Sequence, residues 1–479
     1  MIPTFIGVAV AAIGMYILAR GTVLGMFAMM MACALMQGSA AFMLPALGGS
    51  SIPPVQFALG FMMLKLVVGE ARPDLLWNAI ARNAPLLVFV LYGVTMAIIG
   101  PRMFAGDMYV FPMKLLKSGF DARPSPLGFS PQNVTASIYM VGMLLLSITS
   151  CAAMLHPGGA RRLVKTAAIV AMVHAFLGIS GSLLVRTPWN DVLDLFRNGS
   201  YAQLDQNLGS FARMRGLAPE SSSYSMAGFV WFVFVFECWL RDLMPRWTGP
   251  AAAAVGLALV FSTSSTAYLG LGGYAVVLLL RIVLVRGTAS FRKLLVLGAL
   301  ALVAVAGCMA LYVLMPAFAL MFGDMIQLMT VGKTSSGSAM ERAGWARQGL
   351  QAFQVSSGIG VGPGSFRSSS LVTALLGATG VVGTLAFLVH VLRVVKPLRP
   401  STYVQLQDAE ASVGVAASWA AFAILIPASM VLPGVDTGPE FAMLGGAALA
   451  LRWKSSLSFA SASKVPVPHG QEDRDLVAA

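Results

Sequence analysis

The sequence predicts an all-α, polytopic integral membrane protein of about 12–13 transmembrane helices. Three observations carry that prediction. Of the 479 residues, 57% are hydrophobic and only 11% are charged, against about 25% charged in an ordinary soluble domain. The apolar residues arrive in blocks such as "KLLVLGALALVAVAGCMALYVLM", many near the ~20 residues that a helix needs to cross a bilayer's hydrocarbon. Basic residues gather in short connectors, "GGARRLVK" (158–165), "RDLMPRW" (241–247), "RIVLVRGTASFRK" (281–293) and "RVVKPLRP" (393–400), which the positive-inside rule puts in the cytoplasm.

Taken in order, the first block, "IPTFIGVAVAAIGMYILAR", has no basic leader and no small-residue cleavage site, so it reads as a retained helix over 3–19. Further spans follow at 22–47, 52–70, 84–100, 134–155, 166–185, 223–240, 250–263, 266–285, 294–317, 371–392, 412–432 and 438–452. These make one transmembrane domain, 1–452. With the basic connectors inside, the C-terminus is cytoplasmic and the opening stretch extracytoplasmic. Three longer loops, 101–133, 186–222 and 318–370, then share the extracytoplasmic face. They contain twelve Lys or Arg, which long translocated segments tolerate. The Ser-, Pro- and charge-rich tail, 453–479, reads as disordered and cytoplasmic.

The net charge of +13 does not indicate nucleic acid, because its cations sit in connectors and no aromatic-basic alternation accompanies them. The cysteines (Cys33, Cys151, Cys238, Cys308) fall within predicted spans, which argues for buried thiols and against a disulfide framework or a metal cluster. Intramembrane ionisable residues mark ion pathways by default. Here they are few: Lys65, Glu237, His174 and His390. Snorkelling or packing is the expected role for each.

Chemistry is therefore expected in the external loops. The second carries "FARMRGLAPESSSYSMAGF" (211–229), with Arg213, Arg215 and Glu220 just before a span. The third carries "RAGWARQGLQAFQVSSGIGVGPGSF" (342–366). Its spacing predicts a short interfacial helix with Arg342, Trp345 and Gly349 on one face and Arg347 on another. The glycine run that follows is no dinucleotide fingerprint, because no strand precedes it. Gly360 and Gly362 are expected either to let backbone approach a phosphate or to hinge loop to helix. Arginine takes two phosphate oxygens in one planar fork, and a phosphate met outside the cell belongs to a lipid. Phospholipid headgroups would satisfy Arg186, Arg197 and Lys333. For Arg215, Arg342 and Arg347, a lipid-borne sugar diphosphate is the favoured ligand. Its leaving group needs stabilising charge, assigned to Arg342 and Arg215. The acceptor hydroxyl needs a base, and Glu220 is the candidate, with a salt bridge to Arg213 or Arg215 as the competing role. Arg102 and Asp107 of the first loop are further candidates for glycan or phosphate contacts.

Three of these segments resemble one family. "RMRGLAPESSSYSMAGF" is similar to an R-x-x-G…E-P-S element, "FSTSSTAYLGLGGY" (261–274) to a serine-threonine turn between spans, and "SGSAMERAGWARQGLQAFQVSSGIGVGPGSF" to an R…W…F…G-x-G-x-G-S-F loop. The resemblance, over residues 200–395, is to the O-antigen polymerase and O-antigen ligase superfamily of polyprenyl-diphosphate-dependent glycosyltransferases. It implies a multi-span enzyme in the bacterial inner membrane with an extracytoplasmic site, no metal and no cofactor. Its partners would be undecaprenyl-diphosphate-linked oligosaccharides, membrane lipids and a chain-length regulator, with Arg213, Trp345, Arg347, Gly360 and Gly362 among the substrate contacts. The ligases resemble one another in a histidine after the large loop, where this chain reads "SFRSSSLVTALL", and in an arginine in the serine-threonine turn, where it reads "STSSTAY". Both departures favour the polymerase branch. A flippase or other transporter for lipid-linked oligosaccharide is the alternative from another class.

Overall fold

The computed structural model describes residues 1–462 except 46–49, 69–72, 114–123, 200–206, 209–210, 317–319, 321–322 and 324–336. Lys333 and the tail from 463 lie outside the described residues. The chain is almost wholly helical, and eight described helices are long and apolar enough to span a membrane. The protein is a multi-pass, all-α membrane protein.

Helices α1 (Phe5–Arg20) and α2 (Val23–Cys33) start at threonine caps, Thr4 Oγ1 accepting from Gly7 N and Thr22 Oγ1 from Gly25 N. The expected span over 22–47 is not one helix, because α2 stops at Cys33. The polar step that follows is tied sideways: Gln37 donates to Glu440, and Gly38 N to Leu217 O at 2.7 Å. Phe42–Leu44 then runs extended between Ile2–Pro3 and Ser50–Ile52 as an antiparallel three-stranded sheet. A hydropathy run cannot register this, since extended and helical apolar segments look alike in it.

Next come α3 (Pro54–Val68), α4 (Pro73–Arg82), α5 (Ala84–Met103), α6 (Pro131–Leu155) and α7 (Gly159–Leu183). The amphipathic α4 lies in a segment expected to be a connector and packs on α6. Helix α8 (Pro188–Phe196) occupies the start of the second loop. Beyond it are α9 (Ser221–Leu240), α10 (Pro245–Phe261), α11 (Ser265–Leu284) and α12 (Phe291–Leu314). The third loop contributes α13 (Gly337–Val355), and α14 (Leu371–Val395) re-enters the bundle. The expected span over 412–432 is broken into α15 (Ala409–Ala423) and α16 (Leu425–Val431). The last helix, α17 (Pro439–Ala462), continues past 452 into the segment expected to be disordered.

The core lies where α6, α15 and α17 pack together, with α9 against α7, α10 and α15. Alanine lines these contacts: Ala416, Ala417, Ala420, Ala447, Ala448 and Ala450 are fully buried. Small residues let helix backbones approach where lipid offers no hydrophobic contrast. Cys33, Cys151 and Cys238 are buried as expected, whereas Cys308 is exposed on α12.

Of the four ionisable groups singled out inside spans, three sit in packing contacts, His390 with both ring nitrogens buried and unpartnered among the described residues. Lys65 donates to Leu18 O at 3.0 Å, His174 stacks on Tyr224 with centroids 4.1 Å apart, and His390 packs against Phe441. Glu237 departs from the simple expectation. It is fully buried and paired: Arg281 grips both carboxylate oxygens at 2.8 and 3.1 Å, while Arg241 and Tyr274 also donate to it.

Candidate functional site

The glycine run is threaded into the bundle instead of lying above it. At Gly380, α14 adopts φ +58 and its helical hydrogen bonding lapses. The exposed carbonyls of Gly377 and Ala378 accept from Val361 N and Gly362 N at 2.9 and 3.0 Å, and Val381 N returns to Gly358 O at 2.8 Å. Irregular backbone at this depth is tolerated only where protein supplies such partners. On the other side Tyr92 Oη donates to Ile359 O at 2.8 Å. Tyr92 is eleven residues before the end of α5, about 16 Å by helical rise.

Gly360 and Gly362 have φ of +98 and +96, and a Cβ on either would meet backbone, Ala378 O at 2.6 Å or Met96 O at 2.3 Å. Their N–H groups are already given to Ser356 Oγ and Ala378 O. Neither N–H is thus left over for a phosphate, and the two glycines serve a role other than the two expected, close packing between α5 and α14.

This insertion fixes α13 against the start of α14. Gly349 and Gly377 meet face to face, a Cβ on Gly377 falling 2.4 Å from Gly349 O. Ser369 Oγ donates to Arg342 O at 2.6 Å, and Gln348 accepts from Phe111 N at 3.2 Å. Arg342 and Trp345 are consequently half-buried, while Arg347 lies on the exposed side of the same helix.

A guanidinium cluster forms around these residues. Arg367 lies over the Trp345 ring at 4.6 Å and donates to Met113 O at 3.0 Å. Arg213 donates to Thr263 O at 3.2 Å. The Nε atoms of both are buried without a hydrogen-bond partner among the described residues. Burial lowers the pKa of Arg213; Glu220 partly offsets this, and the charge of Arg342 lowers it further. Arg367 responds in the same way to burial, Glu220 and Arg342. Both stay cationic, as guanidinium does in proteins. Arg213 and Arg367 thus both lie within reach of the Glu220 carboxylate and of the Arg342 charge, with Glu341 a second acid near Arg367. Glu220 precedes α9 and accepts from Ser222 Oγ. Glu220 makes no direct ion pair among the described residues. Surplus positive charge, partly withdrawn from water and rigidly held, is an arrangement suited to a multiply charged anion.

The remaining sequence candidates are placed differently. Arg215 pairs with Asp194 of α8 at 3.6 Å, and Arg197 binds the same carboxylate at 2.6 Å. Arg197, expected at a lipid headgroup, is instead buried and also donates to Gly216 O. These contacts hold the second loop on α8. Arg102 lies over Phe129 at 3.7 Å and makes no ion pair among the described residues.

Sequence reasoning missed two residues. Arg367 follows the glycine run, and its place in the same loop as Arg342 was the available signal. Asp436 stands between α16 and α17, in a connector that the topology puts on the face of the three loops. It lines a cavity of about 260 Å³ with Tyr139, Gly364, Phe366 and Pro433. Ser368 N donates to Pro433 O at 2.9 Å, joining this cavity's wall to the Arg367 segment. Burial pushes the Asp436 carboxyl up to about 6, although Gly438 N donates to it.

Comparison with protein families, curated proteins and solved structures finds no match for this chain.

Proposed function

We propose that the protein is a polymerase that joins undecaprenyl-diphosphate-linked oligosaccharide repeats into a surface polysaccharide on the extracytoplasmic face of a bacterial inner membrane. The observation that carries this reading is the convergence of Arg213, Arg342 and Arg367 around Glu220, beside Trp345. The resemblance of the same two loops to the polymerase and ligase superfamily supports it.

In this mechanism the diphosphate of the donor lipid lies against the three guanidiniums, with Trp345 at the level of the headgroups. The acceptor hydroxyl attacks the anomeric carbon. The bond from that carbon to the diphosphate oxygen breaks, and the electron pair leaves with the lipid diphosphate. Fixed cations stabilise this developing charge without reorganising. A carboxylate takes the hydroxyl proton. Glu220 lies among the arginines, while Asp436, with its raised affinity for a proton, is the second candidate base. Arg215, held by Asp194, acts as a positioning residue for the loop.

The test is to delete the gene, or substitute Arg342→Ala, and size the surface glycan. Single capped repeats in place of long chains are expected from both strains. Unchanged length in the deletion strain overturns the function, and unchanged length in Arg342→Ala overturns the residue's role. Full-length polymer retained on the polyprenyl carrier would mark a ligase. Repeats trapped on the cytoplasmic leaflet would mark a flippase.

A further inference from the structure

At the opposite end of α14 lies a second group of cations that neither the mechanism nor the packing uses. A groove of about 570 Å³ is lined by Arg82, Arg393, Lys396 and Arg399, with Val389, Leu392 and Leu449 forming its apolar wall. Val389, Leu392, Arg393 and Lys396 follow i, i+3, i+4, i+7 spacing, so one face of α14 passes from apolar to cationic as the helix ends. None of the four cations meets a carboxylate among the described residues. Asp408 lines a neighbouring cavity with Lys396 and Arg399 but caps Ala411 N at 3.2 Å and makes no ion pair with them, and Glu410 pairs with Lys454 at 2.9 Å.

Cations near a helix C-terminus ordinarily serve its unsatisfied carbonyls and macrodipole. Here that need is already met. Arg452 Nη1 donates to Val395 O and Val394 O at 2.6 and 3.3 Å, and Thr402 Oγ1 donates to Lys396 O at 2.8 Å. The macrodipole amounts to roughly half a negative charge, far short of balancing four cations. The Arg82 head is also held in place. Arg82 stacks 3.8 Å over Trp453, with its Nε buried and unpartnered among the described residues. Lys396 sits in the left-handed region at φ +49, a conformation that costs a non-glycine residue about 1 kcal/mol or more. Its ammonium is lowered to about 8 by burial and then by Arg452, Arg399 and Arg82. The groove thus concentrates positive charge, at a cost, in the absence of an anion.

We infer that this groove binds a phosphate anion held between Arg82, Arg393, Lys396 and Arg399. The site is separate from the proposed catalytic cluster and does not rest on that reading. Its apolar wall favours a phospholipid headgroup as the source of the phosphate. Val389 and Leu392 are exposed beside the cations, where an acyl chain would lie. A soluble phosphate would leave that strip uncovered.

The test uses the full-length protein, purified in detergent and in nanodiscs. Native mass spectrometry measures retention of phosphatidylglycerol against phosphatidylcholine, and thermal unfolding is followed with added inorganic phosphate. The variants are Arg393→Gln with Lys396→Gln, and the single Arg399→Gln in case the pair does not fold. Arg246→Gln removes one cation beyond α9 and serves as the control. Removing two contacts worth about 1 kcal/mol each should weaken phosphatidylglycerol retention about 30-fold, with the control unchanged. Stabilisation by inorganic phosphate that the groove variants lose, without selective lipid retention, supports the site and assigns it to a soluble anion. Equal loss in groove and control variants, or neither a preference for phosphatidylglycerol nor stabilisation by inorganic phosphate, overturns the proposal.

Discussion

The two ends of α9 hold the same ingredients in opposite states. Near its C-terminus one carboxylate, Glu237, meets Arg241, Arg281 and Tyr274 with both oxygens occupied, and Arg281 is further covered by Trp419 at 4.6 Å. At its N-terminus Glu220 lies beside Arg213 and Arg367, with Arg342 close to both, and makes no direct ion pair among the described residues; these side chains are half-buried instead of sealed. A dry network in which both carboxylate oxygens are taken fixes helices against one another, even though Nε and Nη2 of Arg241 and Nε of Arg281 are buried there without a partner among the described residues. A cation-rich, partly open cluster leaves unused donors for something not part of the chain. Charge count alone does not separate them; the occupancy of the carboxylate oxygens does.

The sharpest way to break this comparison is Glu237→Gln. It leaves two buried guanidiniums without a counter-charge, which should cost about 3–5 kcal/mol and appear as lost monodisperse protein and a lowered Tm. If the variant is as stable as the parent, the C-terminal network is not a stabilising element. By contrast, Arg342→Ala and Arg367→Ala should fold normally while turnover of lipid-linked repeats falls about 10²–10³-fold, the effect of removing one charge-stabilising donor. An effect on Tm with no effect on rate would make the N-terminal cluster structural as well.

Gly362→Ala tests the threading that sets up the cluster. Its Cβ would lie 2.3 Å from Met96 O at φ +96, so a loss of about 1–3 kcal/mol is expected, read as a lower Tm and faster proteolysis within 337–366. Asp436 supplies a pH signature. As a base it works only when ionised, so turnover should rise as pH passes about 6, and Asp436→Asn should flatten that limb. Stability runs the other way. The folded carboxyl holds its proton more tightly than the unfolded one, so this contribution is full below about 3.9 and is lost as pH climbs through about 6. The smallest effect belongs to Arg215→Gln. Asp194 keeps Arg197, so under about 1 kcal/mol should be lost and polymer should still be made. Abolished polymer with a normal Tm would return Arg215 to the reacting centre.

Most of the helices were legible in the sequence, because apolar runs of span length are dictated by the bilayer and need no tertiary information. The face of α13 that carries Arg342 and Trp345 was legible too, since helical spacing sets which residues share a side. The stop of α2 at Cys33, the amphipathic α4 and the breaks at Gly380 and Ile424 were not. Two of these depend on a hydrogen-bond partner from another segment: Leu217 for Gly38 after α2, and Gly358 for Val381 at the Gly380 break.

The same division holds for the two candidate sites. Composition determined that this chain lives in a membrane, and patterning determined that its three longest loops hold a surplus of arginine. Only the tertiary structure decided which arginines are spent on Asp194 and which are left around Glu220. It also decided that the glycine run packs into a broken helix and does not wrap a phosphate. The physical reason is that hydropathy and helical period are local and additive along the chain. Whether a buried charge is paired depends on side chains that meet across it, from different helices and loops.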